Sequence, residues 1–316
     1  MIRRVNPARE PNFFIVGTAK GGTTSLYHYL RQHPQVYMSP IKEPCYFASE
    51  IRMENLSEAH WRYIRLHTGE TTMRPPGWLF STWQEYLELF RGVRNEIAVG
   101  EASVAYLWSE TAPSNIAARL PGAKIIIILR DPAERAFSQY LHQVAVGLVR
   151  STFREHLEAC FRNQERKISE YYPLLEVGLY HGQVKRYLDS FPRENVRIYW
   201  YEEAWREPER LLGGIFEFLG VDPAFRPDTS RKKLERRAPR FPFAYQLAMR
   251  LDMTHQLGQV LPENLRLPIR KLLFRRATSL QMSPADRGLL IDYYRDDILG
   301  LGSLLDRDLS AWFTNG

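Results

Sequence analysis

The apolar run Phe13-Phe14-Ile15-Val16 ends at Gly17, and a helical pattern begins at Thr24 and continues to Leu30. Between them lies Gly17-Thr18-Ala19-Lys20-Gly21-Gly22-Thr23-Thr24. This reads as strand, loop, helix. Glycines there let backbone amides approach an anion, the helix N-terminus adds the positive end of its dipole, and Thr23, Thr24 and Ser25 add hydroxyl donors. In the common nucleotide loop G-x-x-x-x-G-K-[ST] the lysine follows the second glycine, whereas Lys20 precedes the pair Gly21-Gly22. The spacing therefore departs from that of a nucleoside triphosphatase. The plain alternative is a tight turn with a solvated lysine.

Further strands are expected at 97–100, Lys124–Leu129 and 196–201, with helical stretches such as 133–146 and 181–190 between them. That alternation predicts an α/β chain with a central parallel sheet flanked by helices. With 316 residues and 44% hydrophobic content, one domain with insertions is expected. Residues 51–95 hold Trp61, Tyr63, Trp78, Trp83, Tyr86 and Phe90 without a strand pattern and read as an aromatic-rich excursion of helices and loops. Residues 228–240 carry Arg231, Lys232, Lys233, Arg236, Arg237 and Arg240 and read as a mobile basic loop. Residues 241–316 read as a helical C-terminal segment, with Pro284 opening a long helix.

The formal charge of +7 favours anionic partners without naming one. Two cysteines, Cys45 and Cys160, supply neither a disulfide framework nor a cysteine metal cluster. A reducing, cytoplasmic setting fits. No apolar stretch has signal-peptide or membrane-span length. Peripheral membrane contact is expected to be weak at most: Leu267-Pro-Ile-Arg-Lys-Leu-Leu-Phe-Arg-Arg276 puts Ile269, Leu272 and Leu273 on one helical face beside four basic residues.

Phe14 to Leu30 resembles the 5′-phosphosulfate loop of sulfotransferases that use 3′-phosphoadenosine 5′-phosphosulfate (PAPS), which has the form K-x-G-T-[TS] after the first strand. The resemblance implies a P-loop-like sulfotransferase fold, PAPS as sulfuryl donor, PAP as product and no need of a metal. It places Lys20 on the bridging and 5′-phosphate oxygens, within a cradle of Gly21, Gly22, Thr23, Thr24 and Ser25.

The run Lys124 to Leu129 followed by Arg130-Asp131-Pro132 is similar to that family's 3′-phosphate signature, with Arg130 and Ser138 as phosphate ligands. A guanidinium can grip a phosphate bidentately, and a serine on the following helix can donate from the same side. A rival reading makes Asp131 a magnesium ligand at a strand end. Gln139-Tyr140-Leu141-His142-Gln143 resembles the Tyr-x-His-Gln of heparan-sulfate-type members, which implies that His142 lies near the reacting centre; a structural histidine stays open. Lys42-Glu43-Pro44-Cys45-Tyr46-Phe47 looks like the family's K-E-x-H-F-F segment, in which the glutamate is the general base, with Cys45 standing at the usual histidine.

Gly100-Glu101-Ala102-Ser103-Val104-Ala105-Tyr106 resembles G-E-x-[ST]-P-x-Y, with Glu101 and Ser103 either facing ligand or capping a helix. The basic loop occupies the place of a cofactor-covering lid, in which Arg236 and Arg237 would touch the bisphosphate. The resemblance implies a small-molecule or carbohydrate acceptor presenting a hydroxyl or an amine. Two other functions are kept in view: an ATP-dependent small-molecule kinase and a basic nucleic-acid-binding protein.

Overall fold

In a computed structural model, residues 9–50, 80, 82–145, 148–149, 151–162, 173–229, 237–239, 274–276 and 281–314 are described. Five strands form one parallel sheet: β1 (Phe13–Ile15), β2 (Val36–Met38), β3 (Ala98–Ala102), β4 (Lys124–Leu129) and β5 (Val196–Trp200), in the order β2-β3-β1-β4-β5. The expected parallel α/β architecture is present.

Strand alternation divides the core. Phe14, Val16, Val99, Ile125, Ile127 and Leu129 join one apolar layer, and Phe13, Ile15, Ala98, Ile126 and Ile128 join the other. In β4 the five residues after Lys124 are all buried, as a central strand covered on both faces requires. The helix α1 (Thr23–Leu30) covers one face with Leu26, Tyr27, Tyr29 and Leu30.

The fifth position in the sheet was expected at 196–201, but Tyr201 already begins a short helix. The strand β2 has no counterpart in the sequence reading. Three residues are too few to show a period, and β2 is set by pairing with β3 (Val36↔Ala98, Met38↔Gly100).

After β2 the chain forms α2 (Trp83–Leu87), α3 (Ala105–Trp108), α4 (Ala112–Arg119), α5 (Pro132–Ala145), α6 (Phe153–Arg162), α7 (Tyr180–Ser190), α8 (Tyr201–Ala204) and α9 (Pro208–Leu219). Glu50 accepts from the Glu110 and Thr111 amides at the start of α4, at 2.6 and 3.3 Å. A longer C-terminal helix, α10 (Pro284–Leu305), starts at Ser283, whose hydroxyl accepts from the Asp286 amide, and it carries proline in its first turn. Its Asp297 carboxylate accepts from the Tyr180 and His181 amides at 2.6 and 3.1 Å, so α10 caps the N-terminus of α7. A last helix, α11, spans Ala311–Thr314.

Two expectations are corrected. Within the basic loop, β6 (Arg237–Pro239) pairs antiparallel with β7 (Phe274–Arg276), so neither the loop nor the C-terminal segment is uniformly what its composition indicated. Phe274, Arg275 and Arg276 therefore do not belong to the amphipathic helix read at 267–276. Pairing with a distant strand overrides a local helical pattern. Ile269, Leu272 and Leu273 lie outside the described residues, as do Trp61, Tyr63, Trp78, Arg231, Lys232, Lys233, Arg236 and Arg240. Among the described residues no helix is long and apolar enough to cross a membrane.

Candidate active site

The sheet order places β1 between β3 and β4, so three strand ends open on one edge, where ligands of open α/β sheets bind. The Val16 and Thr18 amides continue the ladder onto the Ile126 and Ile128 carbonyls at 2.9 Å each. Beyond Thr18 the chain must turn sharply into α1. A Cβ on Gly17 would lie 2.6 Å from the Ile128 nitrogen, which leaves room only for glycine in this approach. Lys20 (φ 66°) and Gly22 (φ 85°) both adopt left-handed backbone, and Gly22 is the N-cap of α1 with no side chain of its own to satisfy the helix amides. An anion can serve that role. Gly21 and Thr23 are buried, whereas Thr24 and Ser25 on the first turn are partly exposed.

Arg130 follows β4 directly and is buried beside the loop. Its Nη1 donates to the Lys20 carbonyl oxygen at 3.1 Å, its guanidinium lies 4.4 Å from the Tyr201 ring centroid, and Glu134 sits 3.5 Å from Nη2. The Lys20 ammonium is held down to about pH 7 by burial first, and then by the charges of Arg130, Lys42 and Arg135. The donor set fits a phosphorylated cofactor: a lysine, an arginine, a helix N-terminus and hydroxyls.

Asp131 does not fit the magnesium reading. Its Oδ1 accepts from the Ala133 and Glu134 amides at 2.9 and 3.1 Å, capping α5, and its Oδ2 takes Nη2 of buried Arg287 at 2.6 Å. Burial raises the Asp131 carboxyl, opposed by Arg287. Ser138 and His142 lie one turn apart on α5, both partly exposed on the same helical stripe. Arg135 of the same helix is wholly buried, donating to Gln139 Oε1 at 2.5 Å and to the Leu174 carbonyl.

Glu43 sits on the segment after β2 with left-handed backbone (φ 64°). Its amide donates to the Ala102 carbonyl at 2.9 Å, its Oε2 accepts from the Val104 amide at 2.8 Å, and its carboxylate pairs with Lys42. The base candidate is therefore tied to the end of β3, next to β1 and its loop. Glu101 neither caps a helix nor faces ligand: it is fully buried, and Tyr86, Tyr106 and Ser103 all donate to it. Arg237 lies in β6, whereas Arg236 falls outside the described residues.

Sequence reasoning missed Tyr201 beneath Arg130, Trp205 against Gly22, and Arg287 behind Asp131. A Cβ on Gly22 would meet Trp205 Nε1 at 2.4 Å. The aromatic run Tyr199-Trp200-Tyr201 with Trp205, at the end of the edge strand β5, was the available signal. Arg287 had none, since its partner lies 156 positions away.

The sequence pattern of the Sulfotransferase family matches residues 11–226. Carbohydrate sulfotransferase 15 of Mus musculus is 28% identical over 265 residues, which cover 67% of this chain and 44% of that protein. Bifunctional heparan sulfate N-deacetylase/N-sulfotransferase 2 of Homo sapiens is 31% identical over 220 residues, covering 68% of this chain and 22% of its own length. The chain thus matches less than half of each of these relatives. A solved sulfotransferase from Alicyclobacillus acidocaldarius superposes with a TM-score of 0.72 at 34% identity, over 96% of this chain and 99% of that one. A phosphate-type loop, an arginine joined to it across two strands, and a family pattern spanning most of the chain agree: the chain belongs to the sulfotransferase family.

Proposed function

We propose that the protein transfers a sulfuryl group from PAPS to a hydroxyl or amine of an acceptor, a glycan, glycolipid or other small metabolite. The observation that carries this reading is the hydrogen bond from Arg130 to the Lys20 carbonyl, which makes one cationic surface of two strand ends. Lys20, Gly21, Gly22, Thr23, Thr24 and Ser25 would hold the 5′-phosphosulfate side, and Arg130 with Ser138 the 3′-phosphate. Arg237, with Arg236, is proposed to cover the bisphosphate. The names of the two relatives support a carbohydrate acceptor, and the paucity of cysteine supports a cytoplasmic location.

PAPS supplies an electrophilic sulfuryl group whose departure leaves added negative charge on phosphate oxygens. The Lys20 ammonium, on the turn that Arg130 bonds to, offsets that charge. Glu43 takes the proton from the attacking acceptor atom, because a hydroxyl is a weak nucleophile until a carboxylate removes its proton. Its Oε2 is oriented by the Val104 amide. His142 would face the same centre from α5, one turn beyond Ser138. The kinase reading loses support because both Asp131 oxygens are occupied by cap and ion-pair contacts.

The test is paired. PAP without magnesium should raise the melting temperature well above the shift from ADP, and Glu43→Gln should lower turnover by about 10²-fold or more while that PAP shift persists. Equal shifts from PAP and ADP, or near-normal turnover of Glu43→Gln, would overturn the reading.

A further inference from the structure

Glu101 is the penultimate residue of β3 and has no exposed surface, and both of its oxygens are committed. Oε1 accepts from Tyr86 and Tyr106 hydroxyls at 2.8 Å each, and Oε2 accepts from Ser103 Oγ at 2.6 Å. Two of these donors pass the constraint on. Ser103 Oγ accepts from the Cys45 amide at 3.1 Å, and the Tyr106 hydroxyl accepts from the Phe47 amide at 3.3 Å. Tyr86 stacks on Tyr46, with ring centroids 4.7 Å apart, and its hydroxyl donates to Glu101.

The segment so held is the one that carries Glu43. It needs holding, because Glu43 (φ 64°) and Cys45 (φ 54°) both sit in left-handed backbone, which is strained for residues other than glycine. A carboxylate accepts from three hydroxyls at once and so turns their protons inward, leaving the lone pairs of Ser103 and Tyr106 for the Cys45 and Phe47 amides. Glutamine has one acceptor oxygen and two donors, and cannot orient all three. Burial pushes the Glu101 carboxyl up to about 7, opposed by Ser103, Tyr106 and Tyr86, with Glu43 adding to the rise. A carboxylate with no exposed surface, both of whose oxygens are held by hydroxyls, is no second base.

We infer that Glu101 is a positioning residue for Glu43, acting through Ser103 and Tyr106 to fix the backbone of residues 43–47. The inference rests on the reading of Glu43 as general base. It is tested in the full chain carrying Cys160→Ser, so that Cys45, which is buried, is the one remaining thiol. Glu101→Gln, Ser103→Ala and Tyr106→Phe should each speed Cys45 labelling by the thiol reagent DTNB about tenfold, the loss of a buried hydrogen bond. Tyr86→Phe, which removes a hydroxyl of the same network but no bond to the segment, should stay within about twofold.

With PAPS and a de-N-sulfated heparan oligosaccharide as probe acceptor, the first three should lower kcat about tenfold with KM for PAPS unchanged. In a Glu43→Gln background Glu101→Gln should cost little more, since the two act as a unit. If Glu101→Gln fails to fold, Ser103→Ala and Tyr106→Phe each still sever one arm. Wild-type labelling in these variants, or equal acceleration by Tyr86→Phe, overturns the positioning role. Accelerated labelling alongside near-normal turnover of Glu43→Gln keeps the relay and instead removes Glu43 as the base.

Discussion

Nη1 of Arg130 donates to the backbone carbonyl of Lys20 across 3.1 Å, linking the residue after β4 to the loop after β1. Arg130 thereby both shapes the loop and brings a second cation to it. Arg130→Ala should cost PAP about 1.5–3 kcal/mol of binding, the value of a hydrogen bond to a charged group, and should bring its thermal shift down toward that of ADP. A PAP shift that stays well above that of ADP would place the 3′-phosphate elsewhere.

Lys20 is suppressed to about 7 in the free protein by burial and by its cationic neighbours. A phosphate at the loop favours the ammonium, so PAP binding above neutral pH should take up close to one proton. Affinity should then weaken as pH rises above 7, by at most about tenfold per unit. Calorimetry in two buffers of different ionisation enthalpy measures the uptake, and Lys20→Met should abolish it. Without ligand the sign reverses. The unfolded chain holds this proton up to about 10.5, so burying Lys20 costs stability at pH 7 and below, and that cost is relieved as pH rises from 7 to 10.5.

Gly22 carries two separable demands, a positive φ and a close approach to Trp205. Gly22→Ala should weaken PAP binding and lower the melting temperature. Adding Trp205→Ala should relieve the steric part and leave about 1–2 kcal/mol of backbone strain. Complete recovery in the double variant would show that the left-handed conformation is dispensable.

Arg287 and Asp131 form a buried ion pair that fastens α10 to the turn after Arg130. Arg287→Met leaves a buried carboxylate without its counter-charge and should cost about 3–5 kcal/mol in denaturant unfolding. Pairing it with Asp131→Asn should cost less than the sum of the two single changes, because the second change removes the charge that the first one orphaned. Additive losses would mean that the pair is not coupled.

The glycine loop, the all-apolar β4 and the Arg130-Asp131-Pro132 turn were legible because each is written in contiguous residues. Glycine spacing, burial on both faces and a helix cap act over a few positions, so the parallel sheet, the sharp turn between β1 and α1 and the family resemblance followed from local chemistry. The sequence also marked Glu43, though only through that resemblance. Three-residue β2 and the β6–β7 pair were not legible, because such short strands exist only by pairing with a distant partner. The same holds for the burial of Glu101 under Tyr86, Tyr106 and Ser103, for Trp205 against Gly22, and for Arg287 on Asp131. A side chain's local sequence sets what it can donate, accept or carry as charge. Which groups meet, and which charges lose their water, is decided where β3, β1 and β4 end side by side, and that juxtaposition exists only in the folded chain.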